Sequence, residues 1–413
     1  MVESGLKNLE QEKWKLHNVL EEHFSLNQEL TDDEIKACIE ASIMERSKEI
    51  PLTFEEKKLL KKELFNSFRK LDVLSDLLED ESISEIMING PENIFIERKG
   101  KLYPVGKAFC SEERLRTVIQ QIVGSCNRIV NETVPIVDAR LSDGSRVNVV
   151  LPPVALDGAT MTIRKFPKNF FTMEMLIQNG SITREVAQFL HQLVTAKYNL
   201  FISGGTGCGK TTFLNVLSNF ISHDERIITI EDSAELQISS VKNIVRLETR
   251  NANVEGENAI SMSALIKSAL RMRPDRIIVG EVRDHAAMDM VNSMLTGHDG
   301  SISTGHGNSA SEILLRLETM ILMGYDMPIL AIRQQIAAAI DVIVHLGRLR
   351  DNSRKVLEIV EVLGVEAGEI ITKPLYLFEE TEEVDGKIKG TLKKCNSLSN
   401  TMKLKQNGLE VSW

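Results

Sequence analysis

The spacing of apolar residues changes twice along the chain. Up to about residue 71 they recur every three or four positions, as at Leu60, Leu64 and Leu71 with Leu59, Phe65 and Phe68 beside them, which is the period of a helix buried along one stripe. Thr31-Asp32-Asp33-Glu34 and Thr53-Phe54-Glu55-Glu56 each put a glutamate three positions after a threonine, so that side chain and main chain can cap each other at a helix start. A helical amino-terminal appendage over 1–71 is predicted. Its charged runs face water, and its leucines and phenylalanines need a surface to pack on.

From about residue 72 the period drops to two. Alternating runs at 85–89, 94–98, 136–141, 146–151 and 161–165 predict strands, and 111–126 a helix, so 72–165 reads as a small α+β domain. Phe166-Pro167-Lys168-Asn169 breaks both periods, since proline cannot join a central ladder and the residue before it avoids helix; 166–180 is therefore a linker. Beyond it, 199–203, 226–230, 244–247 and 276–280 are almost unbroken apolar runs alternating with helical stretches such as 212–221 and 263–272. That alternation predicts an α/β domain over 181–378, a largely parallel sheet covered by helices. The stretch 329–346, interrupted by Arg333, Gln334, Gln335 and Asp341, reads as a buried helix running into a strand, and 341–346 and 356–363 extend the sheet. From 379 to 413 the Lys, Asn and Ser content predicts a polar tail without ordered structure.

With 413 residues, 42% of them hydrophobic, the chain can build more than one core. Its formal charge of −10 leaves no broad basic face, which argues against nucleic acid as a partner. Cys38, Cys110, Cys126, Cys208 and Cys395 fall in no metal-ligand spacing, so no zinc module is expected, and reduced thiols of a cytoplasmic protein are. No run approaches about 18 uninterrupted apolar residues and no signal-peptide layout opens the chain, so membrane contact is expected to be peripheral.

The sharpest motif follows the run Phe201-Ile202-Ser203: Gly204-Gly205-Thr206-Gly207-Cys208-Gly209-Lys210-Thr211, then Thr212. Glycines let the main chain turn its N–H groups inward, and the helix that follows adds the positive end of its dipole. The pattern is that of a loop cradling the phosphates of ATP. Lys210 is placed to reach the outer phosphates as a point charge, and the Thr211 hydroxyl to ligate Mg2+. Cys208 has two readings, a thiol activated by the converging amides or a small residue filling a small slot.

Two acidic sites stand at the ends of predicted strands, the edge at which open α/β sheets bind ligands. Glu231 and Glu235 are candidates to support the magnesium shell, and Glu281, after Arg276-Ile277-Ile278-Val279-Gly280, is the candidate base that orients the attacking water. A structural ion pair with Arg283 or Arg246 is the competing reading. Many P-loop proteins end this second apolar strand in an aspartate, where Gly280 stands here. His298 and His306 flank a short strand; His306, in a glycine-rich turn, is a candidate sensor of the terminal phosphate, against the plainer reading of a satisfied structural histidine.

In the α+β domain, Val137, Ala139 and Leu141 alternate with Asp138 and Arg140, and Val147, Val149 and Leu151 with Arg146 and Asn148. For both apolar sets to share a face the loop must hold an odd number of residues, and Ser142-Asp143-Gly144 fits with glycine at the left-handed third position. That register sets Arg140 opposite Arg146, a like-charge pair that an anion would relieve. Arg164 shares a polar face with Thr160 and Thr162. The three arginines are candidates to meet the γ-phosphate of a nucleotide held by the second domain, in the same chain or a neighbour. Neutralisation by Asp138, Asp143 and Asp157 is the alternative.

Together with Glu85-Ile86-Met87-Ile88-Asn89-Gly90-Pro91, Asp138-Ala139-Arg140-Leu141-Ser142-Asp143-Gly144-Ser145-Arg146, Ile163-Arg164-Lys165-Phe166 and Arg271-Met272-Arg273-Pro274-Asp275, these motifs resemble the secretion-superfamily ATPases over about 74–378. The resemblance is nearest to the Tad/Flp pilus-assembly ATPases of CpaF type. It implies a RecA-like P-loop fold, with Glu231 to Glu235 in the acidic box, Gly280 and Glu281 in the Walker B segment, and His298 to His306 in the histidine box. It also implies a homo-hexameric ring on the cytoplasmic face of the inner membrane, docked on platform proteins, in which ATP hydrolysis with Mg2+ drives pilus assembly or type II/IV secretion. A hinge at Pro167 would suit that cycle. Related type II secretion ATPases often carry a four-cysteine zinc module, absent here. A nucleotide-gated scaffold with negligible turnover and a nucleic-acid translocase are the competing functions.

Overall fold

Both anticipated capping boxes form. Thr31 and Thr53 accept from the main-chain N–H of Glu34 and Glu56, whose carboxylates accept in return from the threonine N–H groups. These boxes open the second and third of three helices, α1 (Val2–Ser25), α2 (Asp32–Arg46) and α3 (Phe54–Arg69). Leu60 and Leu64 find their surface in Leu16 and Leu20 of α1 and Ile35, Ile39 and Ile43 of α2. The appendage thus has an apolar core of its own, and α4 (Val73–Glu79) follows it.

The computed structural model describes residues 2–25, 30–98, 100–166, 171–250 and 258–409; the hinge expected at Pro167 lies outside them. The chain divides into two units, Met1–Lys168 and Asn169–Trp413.

The first unit carries, besides its helices, β1 (Glu85–Asn89), β2 (Asn93–Arg98), β3 (Lys101–Pro104), α5 (Glu112–Ser125), β4 (Ile136–Arg140), β5 (Arg146–Val150) and β6 (Thr160–Arg164). Among the described residues the strands form one antiparallel sheet in the order β3-β2-β1-β6-β5-β4. Leu115, Val118, Ile119 and Ile122 of α5 pack on its inner face against Ile86, Ile88, Val147, Val149, Met161 and Ile163. β3 is exposed throughout and so has no apolar alternation to reveal it in the sequence. The 142–144 loop turns as expected, with Gly144 at φ +92° and the Leu141 N–H donating to Ser145 O at 2.9 Å.

The second unit contains α6 (Met173–Gln178), α7 (Arg184–Thr195), β7 (Leu200–Gly204), α8 (Lys210–Ser218), β8 (Ile227–Glu231), β9 (Ile244–Glu248), α9 (Met262–Ala269), β10 (Arg276–Val279) and α10 (Ala286–Leu295). It continues through β11 (Ile302–Gly305), α11 (Ala310–Leu322), α12 (Ile329–Ala339), β12 (Val342–Arg348), β13 (Arg354–Glu366), β14 (Glu369–Val384), β15 (Lys387–Lys394) and α13 (Met402–Gln406). One sheet runs β15-β14-β13-β12-β7-β11-β10-β8-β9, parallel from β12 to β9 and antiparallel from β12 to β15. On β7, Leu200 and Ile202 point into the core shared with α7 and α8, while Phe201 points into the one shared with α9 to α12. Helices on both faces explain why these strands read as continuous apolar runs.

Two expectations are corrected. The linker of 166–180 holds α6, whose Leu176 is buried in the core of the second unit; a helix this short shows no period in the sequence. The polar tail of 379–413 is ordered: β14 and β15 form a hairpin, Ile388, Leu392, Leu398 and Leu404 are buried, and the Glu361 carboxylate accepts from the N–H groups of Ser399 and Asn400. Its polar residues are the solvent side of that hairpin, paired as Lys393 with Glu379 and Lys389 with Glu382. A strand pair with one buried face needs only alternate apolar residues, so a segment can be rich in Lys and Glu and still close over a core.

Candidate active site

Four adjacent parallel strands, in the order β7, β11, β10, β8, end at one edge of the sheet, and each delivers a motif there. β7 runs into the phosphate loop, β8 ends in Glu231, β10 leads to Glu281 and β11 to His306.

The loop is built by close approach. A Cβ on Gly204 would lie 2.5 Å from Cys208 Sγ and 2.5 Å from Leu346 O, and Gly209 sits at φ +97°, a conformation side chains resist. Gly209 caps α8 with no side-chain hydrogen bond, so no side chain competes with an anion for the first-turn N–H groups. That is the cradle a phosphate needs. The Cys208 side chain is buried and burial pushes its thiol up, which favours the small-slot reading over an activated thiol.

Lys210 is 8% exposed, and its Nζ donates to the carbonyls of Gly204 and Gly205, both at 3.1 Å, and approaches His306 Nδ1 at 3.2 Å. Burial pulls its pKa below the ordinary lysine range, against the pull of Cys208 and Glu281. On the far side of the imidazole, His306 Nε2 lies 2.8 Å from Glu281 Oε1, and Arg283 Nε donates to Glu281 Oε2 at 2.9 Å. Lys210, His306, Glu281 and Arg283 are therefore one line of contacts. A lysine ammonium only donates, so Nδ1 is the acceptor and the imidazole proton sits on Nε2, the nitrogen nearer Glu281, whose Oε1 accepts no hydrogen bond from a described residue. Burial, with Lys210 and Arg283, lowers the pKa of His306, against Glu281, and favours this neutral form. The ion-pair reading of Glu281 is met by Arg283, and the same carboxylate also lies in line with the phosphate-loop lysine through His306.

Glu231, 3% exposed, uses Oε1 to accept from the main-chain N–H of Glu235 at 2.9 Å and of Leu236 at 3.0 Å, tying down the turn after β8. Its stem also explains the glycine where many P-loop strands end in aspartate. A Cβ on Gly280 would lie 2.9 Å from Glu231 Cγ. Thr211 and Thr212, in the first turn of α8, and Glu235 are half-buried. Among the described residues no three His, Cys, Asp or Glu gather as a metal cage. Magnesium in nucleotide sites takes one or two protein ligands plus phosphate oxygens, so it does not require such a cage. His298 stands apart, its Nδ1 3.3 Å from Ser293 O and from Thr296 Oγ1 at the end of α10.

In the first unit, Arg140 is paired with Arg146 across β4–β5, and Arg146 with Arg164 across β5–β6, so the three arginines form a row. Arg140 Nε donates to Gly144 O at 3.3 Å, and Arg164 Nε lies 3.5 Å from Glu85 Oε1. Sequence reasoning missed a second basic pair beside the phosphate loop: a Cβ on Gly209 would lie 3.7 Å from Arg354 Cδ, and Arg348 is the cross-strand partner of Arg354. The run of arginines from Arg348 to Arg354 was the available signal, but its proximity to the loop depends on β12 pairing with β7.

A family model described as Type II/IV secretion system protein matches residues 69–401. The chain belongs to that family. Secretion ATPases of this family are NTP hydrolases, so nucleotide binding and hydrolysis go with membership. The chain is 33% identical over 293 residues to a Mycobacterium tuberculosis protein named as a conjugal transfer protein, covering 70% of this chain and 83% of that one. It is 31% identical over 317 residues to the conjugal transfer protein TrbB of Rhizobium radiobacter, covering 76% and 94%. The fold is similar to that of the Legionella pneumophila ATPase DotB, with TM-score 0.51 and 21% identity over 70% of this chain and 79% of the other.

Proposed function

We propose that this secretion ATPase binds ATP with Mg2+ at the phosphate loop and hydrolyses it in a ring of six identical subunits, at the cytoplasmic face of the cell membrane, to drive secretion, conjugation or pilus assembly. The line from Lys210 through His306 to Glu281 carries the reading, because it joins the phosphate end of the site to a carboxylate able to take a proton. Lys210 exchanges its loop carbonyls for the outer phosphates. Glu281 accepts the proton of the attacking water, and His306, holding its own proton on Nε2, orients that carboxylate. Bound magnesium would neutralise phosphate charge, with Thr211 and Glu231 or Glu235 toward it. The row Arg140, Arg146 and Arg164 supplies positive charge to the γ-phosphate, from the same chain or a neighbour, in the manner of arginine fingers.

Among the described residues no helix is long and apolar enough to cross a membrane. Within the family we assign the chain to the Tad/Flp pilus-assembly branch on its motif resemblance; the conjugal-transfer names of its relatives support the broader type IV secretion reading. Phosphate release by the native chain and by Lys210→Ala, with molar mass by light scattering with and without a non-hydrolysable ATP analogue, tests the proposal. ATP-dependent assembly and a loss of turnover in the variant are expected. A chain that stays monomeric under every condition, or releases no phosphate, would refute the ring motor.

A further inference from the structure

The β12–β13 hairpin beside the phosphate loop is held rigidly. Asp351 accepts from Ser353 N–H and Oγ and from Ile388 N–H, and Arg350 is clamped by Glu380 and Glu383. Two further arginines on this hairpin have no such neutralisation. Arg348 and Arg354 are exposed and directly opposite each other, and neither makes an ion pair or side-chain hydrogen bond with another described residue. Like charges opposite on a strand pair repel, a cost that a bound anion would remove.

Their place fixes which part of a ligand they meet. Leu346 pairs with Gly204, so β12 runs on past the first residue of the phosphate loop to Arg348, and Arg354 lies against Gly209. This is one flank of β7. Glu281 and His306 stand on the other flank, where β11 and β10 end. A nucleotide lying across the loop with its terminal phosphate toward Glu281 directs its nucleoside end toward β12 and β13. We propose that Arg348 and Arg354 form a second cationic grip on the nucleotide, contacting the α-phosphate and ribose side of ATP or ADP rather than its terminal phosphate. The assignment rests on the ATPase reading above. Guanidinium groups suit it, since they bind phosphate oxygens as planar forks and stack on flat rings.

The test compares ligands with and without a nucleoside on the full chain. Binding of ADP and of inorganic pyrophosphate is measured by calorimetry for native protein, Arg348→Ala, Arg354→Ala and Arg354→Lys. Each alanine variant should weaken ADP about tenfold, the loss of one charge-assisted contact at the α-phosphate, and leave pyrophosphate, which can fill the β and γ positions alone, within about twofold. Arg354→Lys should recover part of the ADP affinity. Unchanged ADP affinity in both alanine variants would overturn the grip, as would an equal loss for both ligands, which would place the arginines at the β and γ phosphates. Absence of ADP binding by the native chain would instead overturn the ATPase reading on which the proposal stands.

Discussion

Replacing Gly280 by alanine tests the packing that separates this site from P-loop sites with an aspartate at that position. The main chain at Gly280 does not have the positive φ that strains side chains, so only space is at issue. The new methyl would sit 2.9 Å from Glu231 Cγ and 3.5 Å from Glu231 Cβ and Oε1. Glu231 cannot simply swing aside, because Oε1 is held by the N–H groups of Glu235 and Leu236. Overpacking of this kind costs about 1–3 kcal/mol. Releasing the two main-chain donors adds on the order of 1–3 kcal/mol each if they are left unmade inside the protein, so about 1–3 kcal/mol is expected where the carboxylate keeps its hold and about 3–9 kcal/mol where both donors are lost. The assay is urea unfolding of the native chain, Gly280→Ala, Glu231→Ala and the double variant. With the glutamate stem removed the methyl has room, so the cost of Gly280→Ala should fall below about 0.5 kcal/mol in the Glu231→Ala background. Equal costs in the two backgrounds would refute the reasoning.

Arg276, 1% exposed, donates to both oxygens of Glu225, at 2.7 and 2.8 Å, and to the carbonyls of Val194 and Gly300; Arg276→Ala should lower stability by up to about 3–5 kcal/mol by leaving the half-exposed Lys197, 3.4 Å away, as the remaining cation beside Glu225, and an unfolding midpoint close to native would contradict this. His306 has a folded pKa below its ordinary 6.5, chiefly from burial, so its contribution to stability is complete above pH 6.5 and is lost as the pH falls from there through the lowered folded value. Its imidazole NMR titration should move up in Lys210→Ala and down in Glu281→Gln, and a shift in the same direction in both would break the proposed line of contacts. Arg146→Ala, at the centre of the arginine row, should cut phosphate release on the order of 10²-fold or more while leaving ADP affinity nearly unchanged, and native turnover in this variant would remove the row from the chemistry.

The phosphate loop was legible because its requirements are local: glycines at fixed offsets, a lysine and a threonine opening a helix. The 142–144 hairpin was legible for a similar reason, as period-two alternation on both sides leaves few registers that bury Val137 and Val147 together. The β14–β15 hairpin was hidden by its solvent face of Glu and Lys, and α6 by its length. The hold of Glu231 on the turn after β8 was hidden more deeply. Nothing in Glu231-Asp232-Ser233-Ala234-Glu235 states whether the first carboxylate turns toward a metal or accepts from the main chain, because that depends on the neighbouring strand carrying Gly280. The approach of Arg354 to Gly209 likewise follows only from the order β13-β12-β7.

The central claim is that Glu281, reached from Lys210 through His306, takes the proton when ATP is cleaved. Glutamine keeps the size of that side chain and its ability to accept from Arg283, but not its basicity. Steady-state phosphate release and ADP binding by Glu281→Gln test the claim most directly: affinity should stay within a few-fold of native, and turnover should fall by about 10²–10⁴-fold, the range of a lost general base. A variant that releases phosphate at the native rate would contradict it.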